Sequence, residues 1–169
     1  MRFRKAEPAD ADFFPELEQS AGLSFRADRE LAWLADADNL SAEGYREIIG
    51  KGWSRLAENG LAHPIAFVAA TLENGELHIW EFAVRIDCQR QGIGRRFLQQ
   101  FVAEAAAAGI PAITLTTFRD VPWNAPFYGS MGFDVVEKLD PRLAGLLDAE
   151  ARKGLPLARR CAMRKRILP

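Results

Sequence analysis

The chain has 169 residues, 49% hydrophobic and 27% charged, a balance that suits one globular domain of ordinary size. Its formal net charge of −1 supplies no field to draw it to nucleic acid or to an anionic membrane, and no apolar run reaches the ~20 residues that cross a bilayer. Two cysteines (Cys88, Cys161) and two histidines (His63, His78) make neither a disulfide framework nor a zinc site, and the opening Met1-Arg2-Phe3-Arg4-Lys5 lacks the apolar core of a secretion signal, so a metal-free cytoplasmic protein is expected.

In chain order, residues 3–5 read as a first strand, and Pro8-Ala9-Asp10 as a turn into a helix with Asp10 or Asp12 near its cap. Helical stretches are expected over 12–21 and 28–36, and another from Ser41 that Gly50 and Gly52 interrupt. Residues 53–57 suggest a short strand before the turn Glu58-Asn59-Gly60. The β-rich run 64–72 and the run 77–84 flank Glu73-Asn74-Gly75-Glu76, a hairpin signal because Asn-Gly tolerates the positive φ of tight turns. An alanine-rich helix over 95–109 closes on a glycine, and a fifth strand covers 112–117. A short helix over 124–131, a strand over 133–138, a helix over 140–152 and a final strand over 159–167 complete the chain. No repeat, low-complexity tract or linker divides it, so a single α/β domain over 1–169 with a mixed sheet is expected.

The stretch Gln89-Arg90-Gln91-Gly92-Ile93-Gly94-Arg95-Arg96 carries the most chemistry. It joins a strand to an amphipathic helix through a glycine turn, where unpartnered N–H groups and the helix dipole make an anion site suited to a pyrophosphate. A P-loop would need Gly-Lys-Ser/Thr after four residues, and none is present. A dinucleotide fingerprint would need a third glycine where Phe97 stands. The remaining pattern, Gln/Arg-x-x-Gly-x-Gly/Ala on Gln89, Gly92 and Gly94, resembles the coenzyme A signature of the GCN5-related N-acetyltransferases. A second stretch, Asn124-Ala125-Pro126-Phe127-Tyr128 running to Gly132-Phe133, has the spacing Asn-x-x-x-Tyr-x-x-x-Gly-Phe.

Together the two motifs, in this order and with these flanking elements, resemble the GNAT family of N-acetyltransferases, best over 64–138. The resemblance implies the GNAT α/β fold: a mixed, mostly antiparallel central sheet flanked by helices and splayed between strands 4 and 5. It implies acetyl-CoA (coenzyme A) as cofactor. Backbone N–H groups of Gln91, Gly92, Ile93, Gly94, Arg95 and Arg96 would hold its pyrophosphate, beside Gln89 and Arg90. Backbone groups of Phe82, Ala83 and Val84 would pair with the pantetheine amides like an added strand. Asn124 would bond the cofactor arm with Phe127 nearby, and Tyr128 would lie near the thioester sulfur.

A lysine-like amine of pKa ~10.4 costs roughly 4–5 kcal/mol to neutralise at pH 7, so a base or a water relay is useful. His78 and Glu81 are the candidates. Three apart on a strand, they face opposite sides unless a bulge resets the alternation. His78 matches a position where relatives carry the base, and Glu81 an acidic position resembling an acceptor site. Both stay open here, as does a structural role for each. Full proton transfer from Tyr128 to the leaving thiolate is uphill by roughly 2 kcal/mol at reference values, so hydrogen bonding is its expected contribution.

Trp33, Trp53 and Trp80 would wall an acceptor pocket or fill a core, and Trp80 is the stronger site candidate because it shares a strand face with His78. Arg119 would orient the acceptor or pair with Asp120. The basic run Arg159, Arg160, Arg164, Lys165, Arg166 reads as a strand with outward charges, and Cys88 as packing. The expected function is acetyl transfer to a primary amine, most simply of a small molecule, by direct attack. Alternatives are a protein N-terminus or lysine as acceptor, or a non-catalytic acyl-CoA sensor. Nucleic acid and membrane are not expected partners. Homodimers are common in the family, though no residue here fixes one.

Overall fold

The computed structural model describes residues 1–167. Seven strands, β1 (Arg2–Lys5), β2 (Arg55–Glu58), β3 (Pro64–Glu73), β4 (Glu76–Val84), β5 (Ala112–Phe118), β6 (Asp134–Val135) and β7 (Arg160–Arg166), form one sheet in the order β1-β2-β3-β4-β5-β7-β6. β1 with β2, β2 with β3, β5 with β7 and β6 with β7 are antiparallel, and β4 with β5 is parallel. Asn74 and Gly75, at φ 53° and 84°, make the two-residue hairpin between β3 and β4, a turn whose twist matches that of paired strands. The β4–β5 ladder covers only Leu77–Ile79, whereas β4 continues to Val84. A ladder this short is what a sheet that opens between strands 4 and 5 leaves. Five helices flank the sheet: α1 (Phe14–Gly22), α2 (Ala42–Gly50), α3 (Ile93–Ala107), α4 (Ala125–Gly129) and α5 (Pro141–Arg152).

The chain falls into two compact units that share β4 and α3. The first holds residues 1–72 and 80–101. Phe14 and Leu17 on α1, and Tyr45 and Ile49 on α2, recur at helical spacing and are buried with Leu56, Phe67 and Ala69. Phe14 stacks on Phe67 at 4.0 Å, and Tyr45 meets both rings edge-on at 5.2 and 5.3 Å. Each such side chain contributes about 1.5–3 kcal/mol by leaving water. Arg4 fastens β1 to its surroundings, donating to Asp10 at 2.6 Å and to Glu58 at 2.7 Å. The second unit holds residues 73–79 and the chain from Val102 onward. Leu143 and Leu147, four apart on α5, pack with Ala162 of β7 and with Val136. The Asp140 carboxylate caps α5 by accepting from the Leu143 N–H at 2.9 Å, and Pro141 sits at the first helical position.

Several boundaries differ from expectation. The stretch 12–21 is a 3-10 turn over Pro8–Phe13 that passes into α1, because Pro8 opens it and Pro15 re-starts the winding. The expected helix over 28–36 is absent, and two 3-10 turns, Leu23–Ala27 and Ala32–Asp36, flank a bend. The Asp28 carboxylate accepts from the Glu30 and Leu31 N–H groups, a local bond that competes with helix continuation. The short strand begins at Arg55 rather than Trp53, since Gly52 is left-handed at φ 91° after α2. The strand expected over 133–138 shrinks to β6, paired with β7 at Asp134 and Val135.

Candidate functional site

In the first unit, the turn between β4 and α3 is tightly specified. Arg90 and Gly92 take left-handed backbone, φ 58° and 75°. A side chain at Gly92 would meet nothing, so its need for glycine is conformational. A methyl at Gly94 would lie 3.5 Å from Val84 and 3.7 Å from Phe82, ordinary contact, so alanine fits there and glycine or alanine both serve the pattern. Ile93, Gly94 and Arg95 are the first residues of α3, whose N–H groups face out of the helix end. The Arg96 N–H, one of the donors expected over Gln91–Arg96, is already bonded to the Gly92 carbonyl at 3.1 Å. Gln89 spans the turn: its Nε2 donates to the Val84 carbonyl at 2.9 Å. That bond already engages one acceptor position of the Val84 segment, where pairing with an amide-bearing ligand was expected. Phe82 packs edge-on against Phe97, which stacks on Phe3, and Ala83 is buried in the core. Burial, ahead of the adjacent Asp87, pushes the Cys88 thiol up, as suits a packing residue.

Glu81 is half-buried on the same part of β4. Its charge bears on Tyr45, whose phenol is pushed up by burial first and by Glu81 and Glu18 next. The Tyr45 hydroxyl donates to Glu18, itself held toward protonation by burial. Nothing in the local pattern marked Tyr45 and Glu18, since both read as ordinary helix residues and only packing of α1 and α2 sets them near Glu81. Trp80 is 42% exposed and its Nε1 donates to Thr71 at 2.8 Å, and Trp33 is 46% exposed beside the bend. Trp53 lies under the Arg55 guanidinium.

In the second unit, His78 is 1% exposed, unlike its strand neighbour Trp80. Its Nδ1 lies 2.9 Å from the Thr114 hydroxyl and 3.3 Å from Arg142 Nη1. A guanidinium only donates, so Nδ1 is an acceptor and the ring proton belongs on Nε2. Burial first, and Arg142 second, push the His78 pKa down to about 3. Arg142 also reaches Thr114 at 3.2 Å and Glu76 at 3.5 Å. Arg142 has no local signature in the sequence, because α5 delivers it from 64 residues away.

Just before α4, the Asn124 Oδ1 accepts from the Thr117 hydroxyl at 2.7 Å, which leaves the amide nitrogen as the donor this side chain offers a ligand. Tyr128 is 9% exposed, with its ring edge-on to Phe127 at 5.3 Å and to Phe133 at 5.7 Å. Lys165 donates to the Met131 carbonyl at 2.9 Å and so closes the end of the turn that carries Tyr128. Arg119 does not pair with Asp120: it donates to the Arg160 carbonyl, and Asp120 pairs with Arg159 at 2.9 Å. The basic strand is also less outward than expected. Arg160 pairs with Glu150 and covers Phe118, and Arg164 pairs with Glu76 and Asp140.

A glycine turn opening a helix, followed by Asn and Tyr four apart on a short helix, is accompanied by a match to the acetyltransferase (GNAT) family model over residues 14–133. The chain belongs to the GNAT family. Solved structures with the same fold include the PaiA N-acetyltransferase of Thermoplasma acidophilum, in complex with coenzyme A, at TM-score 0.70 and 16% identity over 98% of both chains. The ribosomal-protein-S18-alanine N-acetyltransferase of Escherichia coli matches at TM-score 0.70 and 19% identity, covering 99% of this chain and 94% of that one. The aminoglycoside 6′-acetyltransferase type Ii matches at TM-score 0.65 and 18% identity, covering 100% and 99%. The protein is thus an acyltransferase of the GNAT fold with acetyl-CoA as cosubstrate. The residues present fit that cosubstrate: the Gly92 cradle is open, and the first donors of α3 are a pyrophosphate's natural partners. Among the described residues no helix is long and apolar enough to cross a membrane, and no group of three His, Cys, Asp or Glu is placed to hold a metal.

Proposed function

We propose that this GNAT acyltransferase moves the acetyl group of acetyl-CoA to a primary amine of a small molecule by direct attack, as a single catalytic domain. The observation that carries the acetyl-CoA half is the turn at Gln89–Arg96. The observation that supports a cationic acceptor is half-buried Glu81, set beside Tyr45 and Glu18. An ammonium group is favoured near a carboxylate such as that of Glu81.

Acetyl-CoA supplies the activated acetyl thioester. The amine nitrogen forms the new C–N bond, the C–S bond breaks, and the nitrogen's extra proton must leave. Glu81, directly or through a water, is the better candidate to take it. His78 is closed off from solvent and its Nδ1 already faces two donors, so we assign it the role of a fixed neutral residue of β4. Tyr128 would hydrogen-bond the departing thiolate, and Asn124 would donate its amide hydrogen to a carbonyl of the cofactor arm. Trp33, Trp80 and Arg119 are proposed acceptor-side residues. Cys161 is buried in β7 and Cys88 lies in the turn, and we assign neither the role of an acyl-carrying nucleophile.

The test is CoA release from acetyl-CoA across a mixed panel of amines, aminoglycosides, amino acids and peptides, with Tyr128→Phe alongside. Release with small amines that falls at least tenfold in kcat in the variant, while acetyl-CoA binding holds, supports the reading. Release with peptides alone would move the acceptor to protein. Saturable acetyl-CoA binding without release on any acceptor would favour the non-catalytic sensor.

A further inference from the structure

Two serines outside the cofactor turn reach into it. Ser20, near the end of α1, accepts the Ile86 N–H at 3.1 Å. Ser24, one helical turn later in the 3-10 turn Leu23–Ala27, lies with Oγ 2.9 Å from Gln89 Oε1. The amide orientation of Gln89 follows from chemistry. The Val84 carbonyl only accepts, so the Gln89 atom against it is nitrogen, and the oxygen faces Ser24, whose hydroxyl must donate. Gln89 is therefore engaged at both ends of its amide. The segment has other ties: Arg85 N–H to the Ile65 carbonyl at 2.9 Å, and Gln91 Nε2 to the Asp87 carbonyl at 2.9 Å. These bond the segment to β3 and to itself. Only the two serines bring in α1 and its extension among the bonds described here.

The arrangement matters because Arg90, a non-glycine, sits at φ 58°, and Gly92 at φ 75°. Left-handed backbone of this kind persists where surrounding contacts over-determine it. The aim of the first α3 N–H groups depends on that backbone, so a contact that fixes Gln89 also fixes the anion site that follows it. The strap has a far end as well. Gln19, next to Ser20, donates to the Ala35 carbonyl in the 3-10 turn that carries Trp33, and Asn39 donates to Gln19 and to the Pro15 carbonyl. The same helix end is thus bonded to the cofactor turn on one side and to the 3-10 turn Ala32–Asp36 and Asn39 on the other.

We infer that Ser20 and Ser24 are positioning residues for the cofactor turn, and that through them coenzyme binding is coupled to the order of the segment 14–36. The inference rests on the reading of Gln89–Arg96 as the pyrophosphate turn. Linkage makes the coupling reciprocal: whatever tightens the segment raises coenzyme affinity, and the coenzyme tightens the segment by the same factor. An acceptor that contacts Trp33 or its bend would then bind better to the coenzyme-loaded protein, and coenzyme A better to the acceptor-loaded one.

The experiment titrates coenzyme A by calorimetry into the full chain and into Ser24→Ala, Ser20→Ala and Ser24→Thr, with hydrogen exchange of peptides covering 14–36 recorded with and without coenzyme A. The loss of one hydrogen bond predicts coenzyme A affinity about three- to tenfold weaker in Ser24→Ala, with recovery in Ser24→Thr. Coenzyme A is expected to slow exchange over 14–36 in the parent chain and to lose most of that effect in Ser24→Ala. A purely structural serine would lower the midpoint and leave the coenzyme-dependent protection intact, which overturns the inference. So does affinity within twofold of the parent in both alanine variants. No coenzyme A binding by the parent chain would instead defeat the reading of the turn itself, and the inference with it.

Discussion

His78 is buried neutral, and that has a measurable consequence for stability. Its ordinary pKa of 6.5 is pushed down to about 3 in the fold by burial and then by Arg142. Between those values the unfolded chain binds a proton that the folded chain does not, so stability rises with pH. The contribution is fully present above 6.5 and is lost as pH falls toward 3. Going from about pH 7.5 to about pH 4.5 spans roughly two units of differential protonation, or about 2.7 kcal/mol. The charged groups facing the ring are Arg142, which also reaches Glu76, and beyond it Arg164, which pairs with Glu76 and Asp140. Asp10 and Asp140 are held below the usual carboxylate range, by Arg4 and backbone bonding for Asp10 against a desolvation cost, and by the Leu143 N–H for Asp140. Their contributions are lost only as pH falls through still lower values. The assay is urea unfolding of the parent chain and of His78→Gln at the two pH values. Glutamine keeps an acceptor for Arg142 and Thr114 but does not titrate. Its stability is expected to change between the two pH values by about 2.7 kcal/mol less than the parent's does, whatever the variant costs at neutral pH. Equal pH dependence in the two proteins would refute the placement of His78 as a buried neutral ring. It would restore the histidine as a candidate base.

Three other outcomes follow from the geometry. Gly92→Ala forces an L side chain to φ 75° and is expected to cost about 1 kcal/mol of stability and to weaken coenzyme A binding, whereas Gly94→Ala, whose methyl finds ordinary contacts, leaves both near the parent in calorimetry. Phe67→Ala removes the ring on which Phe14 stacks and Tyr45 abuts, and is expected to lower stability by about 3–5 kcal/mol in denaturant unfolding. Asp140→Ala takes away the α5 cap and a part-buried pairing with Arg164, and is expected to cost about 1 kcal/mol or more in denaturant unfolding, with the cap as the main contribution.

The local backbone features around the candidate site were legible before the fold was known, because they are written in the chemistry of neighbouring residues. Gly92 and Gly94 before an amphipathic run, Asn74-Gly75 between two β-rich runs, and Ser41 ahead of a helix each state a requirement of the chain a few residues either side. In the structure Gly92 and Gly75 have positive φ, and the Ser41 hydroxyl accepts from the Gly44 N–H. The same locality explains the failures. Asp28 looked like a helix start, yet its carboxylate closes a turn instead, and β6 is as short as its pairing with β7 allows.

The sequence by itself determined the GNAT family and the mixed sheet, since motifs and alternating apolar runs need only neighbours within a dozen residues to be read. The tertiary structure decided which side chains surround the candidates. His78 and Glu81 are three residues apart on one strand and were indistinguishable as bases. Arg142 and Thr114 bury and neutralise the first, while Tyr45 and Glu18 accompany the second. Ser24 meets Gln89 across 65 residues. Protonation and positioning depend on distance and dielectric in space, and no spacing along the chain encodes either.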